Sequence, residues 1–404
     1  MEVGRKLVAI GIVVIVSMVG INVAMHPPAS TVGQASNSTL LGSQSGSVTL
    51  IDPAGQQEWK IDDADSYFDV TKTGEETVLA AVYRGDRSRC GPYQSPCSRT
   101  GFEVVRLGEQ PRTTFSYTYP VRTGRSSEVH DVERISPDRF VVAHKAHERI
   151  FVVSNDGEIE WEWNASSFYE APEDPTRVDW LHINDVDKIG PETFLISVRN
   201  ENQLLVIEKS EGVVEVVNRD GDPDLFHQQH NPQWLGENAV LVADSENDRV
   251  VELHRNTSDG EWYVAWSLTG AGGIGFSWPR DADRLENGNT LITDTRNRRI
   301  VEVDKNGTVV WSTTVQGDLP YEADRLPRGE TVGGVRYTDP MSERVSGQNM
   351  PTYIRGVTPA AGLLRHHVRL PTWFTEGELL TGAAGIGFVL LGGGMELSRR
   401  FERG

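Results

Sequence analysis

Short apolar runs alternate with turn signals through the middle of the chain, and no stretch there has the spacing of an amphipathic helix. The runs are rich in valine, isoleucine, leucine and phenylalanine. Two of them, Phe140-Val-Val-Ala143 and Arg149-Ile-Phe-Val-Val153, are followed by an Asp156-Gly157 turn. Because strands joined by tight turns have this pattern, the sequence predicts an all-β fold.

The same order of elements recurs along the chain. In a second copy, Thr290-Leu-Ile-Thr293 and Arg299-Ile-Val-Glu-Val303 are followed by Asn306-Gly307. The equivalent first positions of all copies are Phe68, His130, Asn184, His230, Arg280 and Tyr321. Their intervals of 62, 54, 46, 50 and 41 residues are close to the period of a four-stranded propeller blade, about 40 to 50 residues. The repeat predicts a six-bladed β-propeller.

The two ends of the repeat predict how the ring closes. The unit that begins at Tyr321 lacks its outer strands, whereas Val48–Asp52 and Gln57–Lys60 form an orphan strand pair before the first unit. We therefore expect N-terminal strands to complete the sixth blade, so that no open sheet edge is left. The expected propeller domain covers residues 47–337.

Two apolar stretches flank this region. The first, Leu7 to Met25, is 19 residues long, which suffices to cross a hydrocarbon core of about 30 Å. The second, Leu379 to Met395, is 17 residues long. Basic residues precede the first stretch and follow the second, which predicts cytoplasmic ends and an extracytoplasmic propeller at the cell membrane. The alternatives are a cleaved signal peptide for the first stretch and a buried terminal helix for the second.

The segments outside the propeller follow from these stretches. They are a cytoplasmic N-terminus with a transmembrane helix (1–25), a flexible Ser/Gly-rich linker (26–46), a second linker (338–378), a second transmembrane helix (379–395) and a cytoplasmic tail (396–404). Cys90 and Cys97 bracket a turn-rich loop that suits a local disulfide in an oxidising compartment. No further ligands cluster beside these cysteines, so no metal site is expected.

The formal net charge of −19 argues against a nucleic-acid partner, which would need a basic face. Only seven of the 39 basic residues are lysine, and the acidic residues are spread along the whole chain. This composition is typical of proteins from halophilic archaea. The composition therefore predicts a halophilic archaeal origin, and it carries no information about the fold.

The inner strand of each propeller blade begins near the central channel, so equivalent positions from all blades converge. The residues at or near those positions that carry suitable chemistry are His130, His182, Asn184, Arg199, His230, Arg280 and Tyr321. Arginine matches the geometry of oxyanions, and histidine can act as a nucleophile or as an acid or base near neutral pH. We therefore predict an anion-binding channel, with Asn184, Arg280 and Tyr321 in substrate-binding places. No nucleotide or dinucleotide fingerprint is present, and no cofactor is expected.

Four segments resemble those that line the channel of the arylsulfotransferase family. They are His130-Asp-Val, Asp179-Trp-Leu-His-Ile-Asn184, Ser197-Val-Arg199 and Gln229-His-Asn-Pro232, within a resemblance that covers roughly residues 125 to 330. Members of this propeller family pass sulfate from a phenolic sulfate ester to another hydroxyl without a nucleotide donor. The resemblance implies a ping-pong mechanism in which His230 is transiently sulfated. It also implies that His182 and Arg199 hold the oxygens of the moving group and that His130 handles a proton.

The expected function is thus a membrane-anchored sulfotransferase with a sulfate-ester donor. Its hydroxyl acceptor is expected to be a phenol or a sugar of a lipid-linked or surface-layer glycan. One alternative is a non-catalytic extracellular propeller that binds a surface glycan or a protein. A second, a quinoprotein-like dehydrogenase, would need a repeated tryptophan docking motif, and the blades carry none.

Overall fold

Strands make up almost all of the regular structure in the part of the chain that a computed structural model describes, residues 31–74, 76–107, 111–122, 127–315 and 318–337. The N-terminal strands are β1 (Thr31–Gly33), β2 (Thr39–Ser43), β3 (Ser47–Ile51) and β4 (Gln57–Ile61). The next are β5 (Ser66–Gly74), β6 (Thr77–Arg87), β7 (Cys97–Arg106), β8 (Arg112–Val121), β9 (Val132–Ser136), β10 (Arg139–His144), β11 (Arg149–Ser154), β12 (Ile159–Asn164), β13 (Ile183–Lys188), β14 (Thr193–Val198), β15 (Gln203–Glu208) and β16 (Gly212–Val217). The last are β17 (His230–Gly236), β18 (Ala239–Asp244), β19 (Arg249–Arg255), β20 (Trp262–Leu268), β21 (Gly270–Ala271), β22 (Ile274–Gly275), β23 (Pro279–Arg284), β24 (Thr290–Asp294), β25 (Arg299–Val303), β26 (Val309–Thr314) and β27 (Pro320–Arg325).

These strands form the six blades of a β-propeller, which confirms the fold expected from the repeat. Blades 1 to 4 are the antiparallel sheets β5–β8, β9–β12, β13–β16 and β17–β20, and blade 5 contains β23–β26. Blade 6 has the strand order β27-β2-β3-β4. A two-stranded hairpin, β21–β22, lies between blades 4 and 5 along the chain. Each four-stranded blade has the simple up-and-down order that a hairpin repeat produces.

The tight turns of the repeat lie between the third and fourth strands of a blade. Gly157 joins β11 to β12 with φ of 81°, and Gly307 joins β25 to β26 with φ of 77°. A residue with a side chain rarely adopts this left-handed conformation, so glycine is the favoured residue at both turns. The two turns that the Asp-Gly and Asn-Gly pairs predict are therefore confirmed.

The ring closes by joining strands from the two ends of the domain. Strand β2 pairs antiparallel with β27, with Leu41 opposite Ala323, and β3 and β4 follow outward. The prediction that N-terminal strands complete the sixth blade is confirmed. Because β27 is the innermost strand of that blade, the C-terminal strand faces the channel and the N-terminal strands lie behind it.

The prediction of a flexible linker at 26–46, with the propeller starting at 47, is wrong from Thr31 onward. Strand β2 is buried along its whole length, and β1 adds a fifth strand to blade 5, with Thr31 opposite Thr313 on β26. A Cβ on Gly42 would collide with the carbonyl oxygen of Phe68 in the next blade. The small residues that suggest a flexible segment instead permit a close approach between two strands.

The hydrophobic core lies between neighbouring blades. Between blades 2 and 3, for example, Val141 and Ile150 pack in one cluster with Ile183, Phe194 and Ile196. All five side chains are buried, and complete burial of such a side chain contributes about 1.5 to 3 kcal/mol. Each sheet thus packs one face against the preceding blade and its other face against the following blade.

Side-chain hydrogen bonds also connect the inner strands of successive blades. In each case a carboxylate or amide oxygen of one blade accepts the backbone N–H of the following blade. The pairs are Asp69 with Val132 (3.1 Å), Asp131 with Val186 (2.6 Å), Gln233 with Arg284 (2.7 Å) and Asp281 with Ala323 (3.0 Å). These bonds fix the height of each inner strand relative to its neighbour, and hence the relative positions of the residues at their starts.

Cys90 and Cys97 form a disulfide, as expected, with their Cα atoms 5.6 Å apart. It closes the loop between β6 and β7 in blade 1.

The predicted transmembrane helices (1–25 and 379–395), the second linker (338–378) and the tail (396–404) lie outside the described residues. Helical structure in the described part is limited to 3-10 turns of three residues each, and none is long and apolar enough to span a bilayer. They are Lys145–His147, Ala165–Ser167, Pro175–Arg177, Arg199–Glu201 and Ser245–Asn247.

Candidate functional site

Residues at the starts of the inner strands meet around one axis. The ring centroid of Phe68 lies 4.6 Å from that of His130 and 5.2 Å from that of Tyr321. Tyr321 is 5.5 Å from His130 and 6.0 Å from His230. Four blades are represented in this cluster, so the structure brings together side chains that are far apart in the sequence. Arg280 of a fifth blade stacks on Tyr321 at 4.6 Å.

His182 stands beside His130, with ring centroids 5.3 Å apart. Its Nδ1 lies 2.9 Å from a carboxylate oxygen of Asp179, and because a carboxylate only accepts, Nδ1 carries the hydrogen. The backbone of His182 has φ of 58°, a conformation that is uncommon outside glycine and often found at functional sites. The structure therefore holds this side chain in a position that an ordinary strand would not give it.

Glu148 stabilises that unusual backbone. Its two carboxylate oxygens accept the N–H groups of Leu181 (3.1 Å), His182 (2.8 Å) and Ile183 (3.0 Å). Burial raises the pKa of Glu148 to about 7, although these three hydrogen bonds favour the ionised form. Two further blades repeat the device with Asn202 accepting from Gln228 at 2.9 Å and Asp248 accepting from Trp278 at 2.7 Å.

Arg199 begins the 3-10 turn between β14 and β15 and is only 5 % exposed. Its Nη2 donates to the side-chain oxygen of Gln228 at 2.7 Å, and its Nη1 donates to that of Asn200 at 3.1 Å. Nη1 also lies 3.4 Å from Nδ1 of His182. Its Nε has no hydrogen-bond partner among the described residues. Burial lowers the pKa of this guanidinium, since the charge is largely removed from water.

His230 begins β17 and is 1 % exposed. Its Nδ1 lies 2.8 Å from the hydroxyl oxygen of Ser245. Burial lowers the pKa of His230 well below its usual value, and the positive charges of Arg280 and Arg199 lower it further. The pKa of His130 is lowered in the same direction, by burial and then by Lys145 and His182. Both rings are therefore neutral at pH 7.

Arg280 has the most unusual surroundings in the site. Its guanidinium stacks at 4.1 Å from the ring centroid of Trp278, and the residue is 5 % exposed. In the described part of the chain, Nε and Nη1 of Arg280 have no hydrogen-bond partner. The indole Nε1 of Trp278 and the hydroxyl of Tyr321 are buried and likewise form no hydrogen bond with any described residue. Burial lowers the pKa of Arg280 to about 10, so the group still carries its charge at neutral pH.

Asn184 is fully buried near the same axis, but part of its side chain is already engaged. Its Nδ2 donates to the backbone oxygen of Gln229 in the next blade at 2.9 Å. Its Oδ1 has no partner within the described ranges. The amide thus connects blades 3 and 4 and leaves an acceptor at the site.

Acidic residues form a second layer, one position further along the inner strands. The members are Asp69, Asp131, Asp185, Asp281 and Glu322, all of them buried. Burial raises the pKa of every one of these carboxyl groups, to about 7 for Asp131 and Asp281. No group of three histidine, cysteine, aspartate or glutamate residues in the described part has an arrangement that could hold a metal ion.

Several residues of the site were missed by sequence reasoning. Ser245 is one of them: it holds the first position after the second strand of its blade, a place that Lys145, Arg199 and Thr295 hold in blades 2, 3 and 5. An alignment of these turns would therefore have indicated Ser245. Trp278 has no such signal, because its importance depends on the stacking of Arg280 on its ring. Lys145 is paired with Glu128 at 3.3 Å, so its charge is compensated.

No protein-family model matches the chain, and no curated protein matches it. Solved structures that resemble it include a protein of unknown function from Bacteroides caccae, with 16 % identity, a TM-score of 0.49 and coverage of 70 % of this chain and 94 % of that one. A periplasmic gluconolactonase from Pseudomonas aeruginosa has 12 % identity, a TM-score of 0.46 and coverage of 75 % and 100 %. Virginiamycin B lyase from Staphylococcus aureus has 11 % identity, a TM-score of 0.40 and coverage of 72 % and 89 %. At these values the similarities assign no activity to this chain.

Proposed function

We propose that this chain is a sulfotransferase that moves a sulfuryl group from a sulfate ester to a hydroxyl acceptor through a covalent intermediate on His230. The observation that carries the proposal is the buried Arg280, which has two unbonded N–H groups and no carboxylate within ion-pair distance in the described structure. A buried charge without a partner is strongly unfavourable, and a bound anion would compensate it. The planar guanidinium matches the oxygens of a sulfate ester.

The neighbours of Arg280 supply the other parts of such a site. Arg199 retains an unbonded Nε, and the positive charges of both arginines act on the ring of His230. Sulfuryl transfer resembles phosphoryl transfer, in which charge spreads over the outer oxygens and electrostatic stabilisation dominates catalysis. His182, oriented by Asp179 through Nδ1, completes the set of groups that hold these oxygens when its ring carries a hydrogen on Nε2 as well.

The first half-reaction uses the neutral ring of His230 as the nucleophile. A ring nitrogen donates its lone pair to sulfur, the S–O bond of the ester breaks, and the leaving oxygen takes the bonding electrons. The ring then carries the sulfuryl group and a positive charge. The lowered pKa of His230 keeps the nucleophile unprotonated at neutral pH.

The second half-reaction returns the ring to its starting state. The acceptor hydroxyl gives its proton to His130, whose Nδ1 has no partner in the described structure, and its oxygen attacks sulfur. The S–N bond breaks, and its electrons return to the ring of His230. The proton on His130 then passes to solvent or to the leaving oxygen of the next donor.

Membrane attachment, the extracytoplasmic location and an archaeal, halophilic source stay predictions. The donor class stays a prediction as well. So does the acceptor, a phenol or a lipid-linked or surface-layer glycan. An outward-facing enzyme at the membrane would have access to such glycans.

One observation favours the alternative, a non-catalytic propeller that binds a glycan or a protein. His230 is only 1 % exposed, and a bulky acceptor needs a route to sulfur. If the propeller has no such route, the site would hold a small anion permanently and would transfer no sulfuryl group.

The two functions are separated by incubating the full chain with 4-nitrophenyl sulfate. We expect release of nitrophenol and an adduct of about 80 mass units on the His230 peptide, as a covalent intermediate requires. His230→Gln should abolish both. His254→Gln is the matched control, because His254 lies on the outer part of blade 4, paired with Glu252 at 2.6 Å. Activity retained in His230→Gln, or the absence of both adduct and nitrophenol with the native chain, would rule out the sulfotransferase.

A further inference from the structure

Ser245 is buried directly behind the ring of His230. It begins the 3-10 turn between β18 and β19, and it is 0 % exposed. Its Oγ lies 2.8 Å from Nδ1 of His230 and 2.7 Å from the carbonyl oxygen of Pro279 in the next blade. The carbonyl of Ala243 is further away, at 3.4 Å.

The direction of these hydrogen bonds follows from the inventory of donors. A serine hydroxyl has one hydrogen, and a carbonyl oxygen can only accept. If Ser245 gave its hydrogen to His230, two oxygen atoms would face each other at 2.7 Å with no hydrogen between them. The hydroxyl therefore donates to Pro279, and Nδ1 of His230 donates to the serine oxygen.

We propose that Ser245 is a positioning residue that fixes the tautomer of His230, with the hydrogen on Nδ1 and the lone pair on Nε2. The geometry stands by itself, whereas the use of that lone pair rests on the proposed sulfotransferase function. Nε2 makes no hydrogen bond with any of the described residues, so nothing in that part of the chain competes for it.

The same chain of bonds serves the sulfated state. When Nε2 bonds to sulfur, the ring becomes a cation that keeps its hydrogen on Nδ1. The serine oxygen accepts that hydrogen while its own hydroxyl donates to Pro279, and consecutive hydrogen bonds of this kind strengthen one another. A histidine held by a fixed acceptor on one nitrogen presents the other nitrogen in a defined direction.

The tautomer can be observed without any substrate. We would label the histidines of the full chain with ¹⁵N and assign His230 by the loss of its signals in His230→Gln. A proton on Nδ1 and an unprotonated Nε2 are expected in the native chain, with a mixture of tautomers in Ser245→Ala. A proton on Nε2 of His230 in the native chain would overturn the inference, whether or not the protein transfers sulfate.

Kinetics test whether the tautomer matters. Loss of one neutral hydrogen bond corresponds to about a tenfold change, so Ser245→Ala should slow formation of the His230 adduct about tenfold. Ser245→Thr keeps the hydroxyl and should restore the rate, because threonine already occupies the equivalent turn position in blade 5.

Thr295→Ala is the matched control. Thr295 is 1 % exposed, and its hydroxyl bonds to no other described residue, so its removal should leave adduct formation unchanged. Equal slowing in Ser245→Ala and Thr295→Ala would contradict the inference and indicate general disturbance of the turns. If the native chain forms no adduct at all, the proposed function fails, and the NMR measurement still decides the tautomer.

Discussion

At the scale of single residues, Arg280 and Arg284 lie on the same inner strand and both are buried, but their charges have different surroundings. Arg284 forms an ion pair with Glu252 at 2.9 Å, and both side chains are 0 % exposed. Arg280 has no ion pair in the described structure and stacks on Trp278. One arginine therefore has a structural partner, and the other is available for an anionic ligand.

This contrast predicts different effects of substitution. Sulfate should stabilise the native chain, by about 2.7 kcal/mol at a hundred times its dissociation constant, and Arg280→Met should lose that stabilisation. Without sulfate, Arg280→Met should be at least as stable as the native chain, because an uncompensated buried charge is removed.

Arg284→Met is the control and should cost about 3 kcal/mol, since it removes the arginine from Oε2 of the buried Glu252 and leaves that carboxylate with His254 and the N–H of Tyr337 on Oε1. The stabilities of the native chain, Arg280→Met and Arg284→Met would be compared by thermal unfolding in sulfate and in chloride of equal ionic strength. An undiminished sulfate response in Arg280→Met would remove this residue from the anion site.

The sequence predicts some residues of the candidate site and misses others. His130, His230, Arg280 and Tyr321 were found because they occupy equivalent places in a repeat. Glu148 and Ser245 were not found, because their roles depend on a left-handed backbone at His182 and on a carbonyl group of another blade. Neither condition leaves a pattern in a single sequence.

At the scale of elements, strand β2 shows how composition can mislead. Its sequence, Thr-Leu-Leu-Gly-Ser, lies in a region rich in serine and glycine, which indicated a flexible linker. Leu40 and Leu41 are nevertheless buried on opposite faces of the strand, one in each of two neighbouring clusters. The strand is too short for its alternation to stand out, and its partner β27 is 282 residues away in register, as Leu41 and Ala323 show.

Gly42 offers a direct test of the role of β2. Gly42→Ala places a Cβ against the backbone oxygen of Phe68, which cannot move away as a flexible side chain could. We expect a loss of about 1 to 3 kcal/mol in the free energy of unfolding, as for other overpacked sites. Gly74→Ala is the control, because its Cβ would meet Thr77 Oγ1 at an ordinary 3.4 Å. Urea unfolding compares them, and equal midpoints would mean that β2 is not a rigid part of blade 6.

At the scale of the whole molecule, the layer of buried acids gives the propeller an unusual dependence on pH. Raised pKa values mean that the folded chain binds more protons than the unfolded chain between about pH 4 and pH 7. Stability should therefore fall as pH rises through that range. The lowered pKa values of His130, His144 and His230 act in the opposite direction below about pH 6.5, but the acids outnumber them.

Asp131→Asn tests this balance. Asparagine keeps an oxygen that can accept the N–H of Val186 and removes a group whose pKa is about 7 in the folded chain. We expect a higher urea midpoint than that of the native chain at pH 7.5 and a smaller difference at pH 5.5, with up to about 1.4 kcal/mol per pH unit from one group. Asp156→Asn, on an exposed turn, should change neither value. A native midpoint that rises from pH 5.5 to pH 7.5 would contradict the expectation.

The fold itself was predictable at this scale, because six copies of one hairpin pattern determine the number of blades. Ring closure followed from an incomplete last unit and an orphan pair of strands before the first. The sequence did not predict that the residues at the strand starts and the acidic residues after them form two layers in the channel. Polar residues at successive positions of inner strands look ordinary in sequence, and only the convergence of the blades makes them adjacent.

The composite sixth blade also has a consequence for biosynthesis. Tyr321 lies on β27, the last of the described strands to leave the ribosome, and β27 must pair with β2, one of the first of them. The ring of aromatic, histidine and arginine side chains is thus incomplete until nearly all of the propeller has been synthesised. A polypeptide that ended before β27 would lack Tyr321 and the complete ring, so the site can form only after β27 has paired with β2.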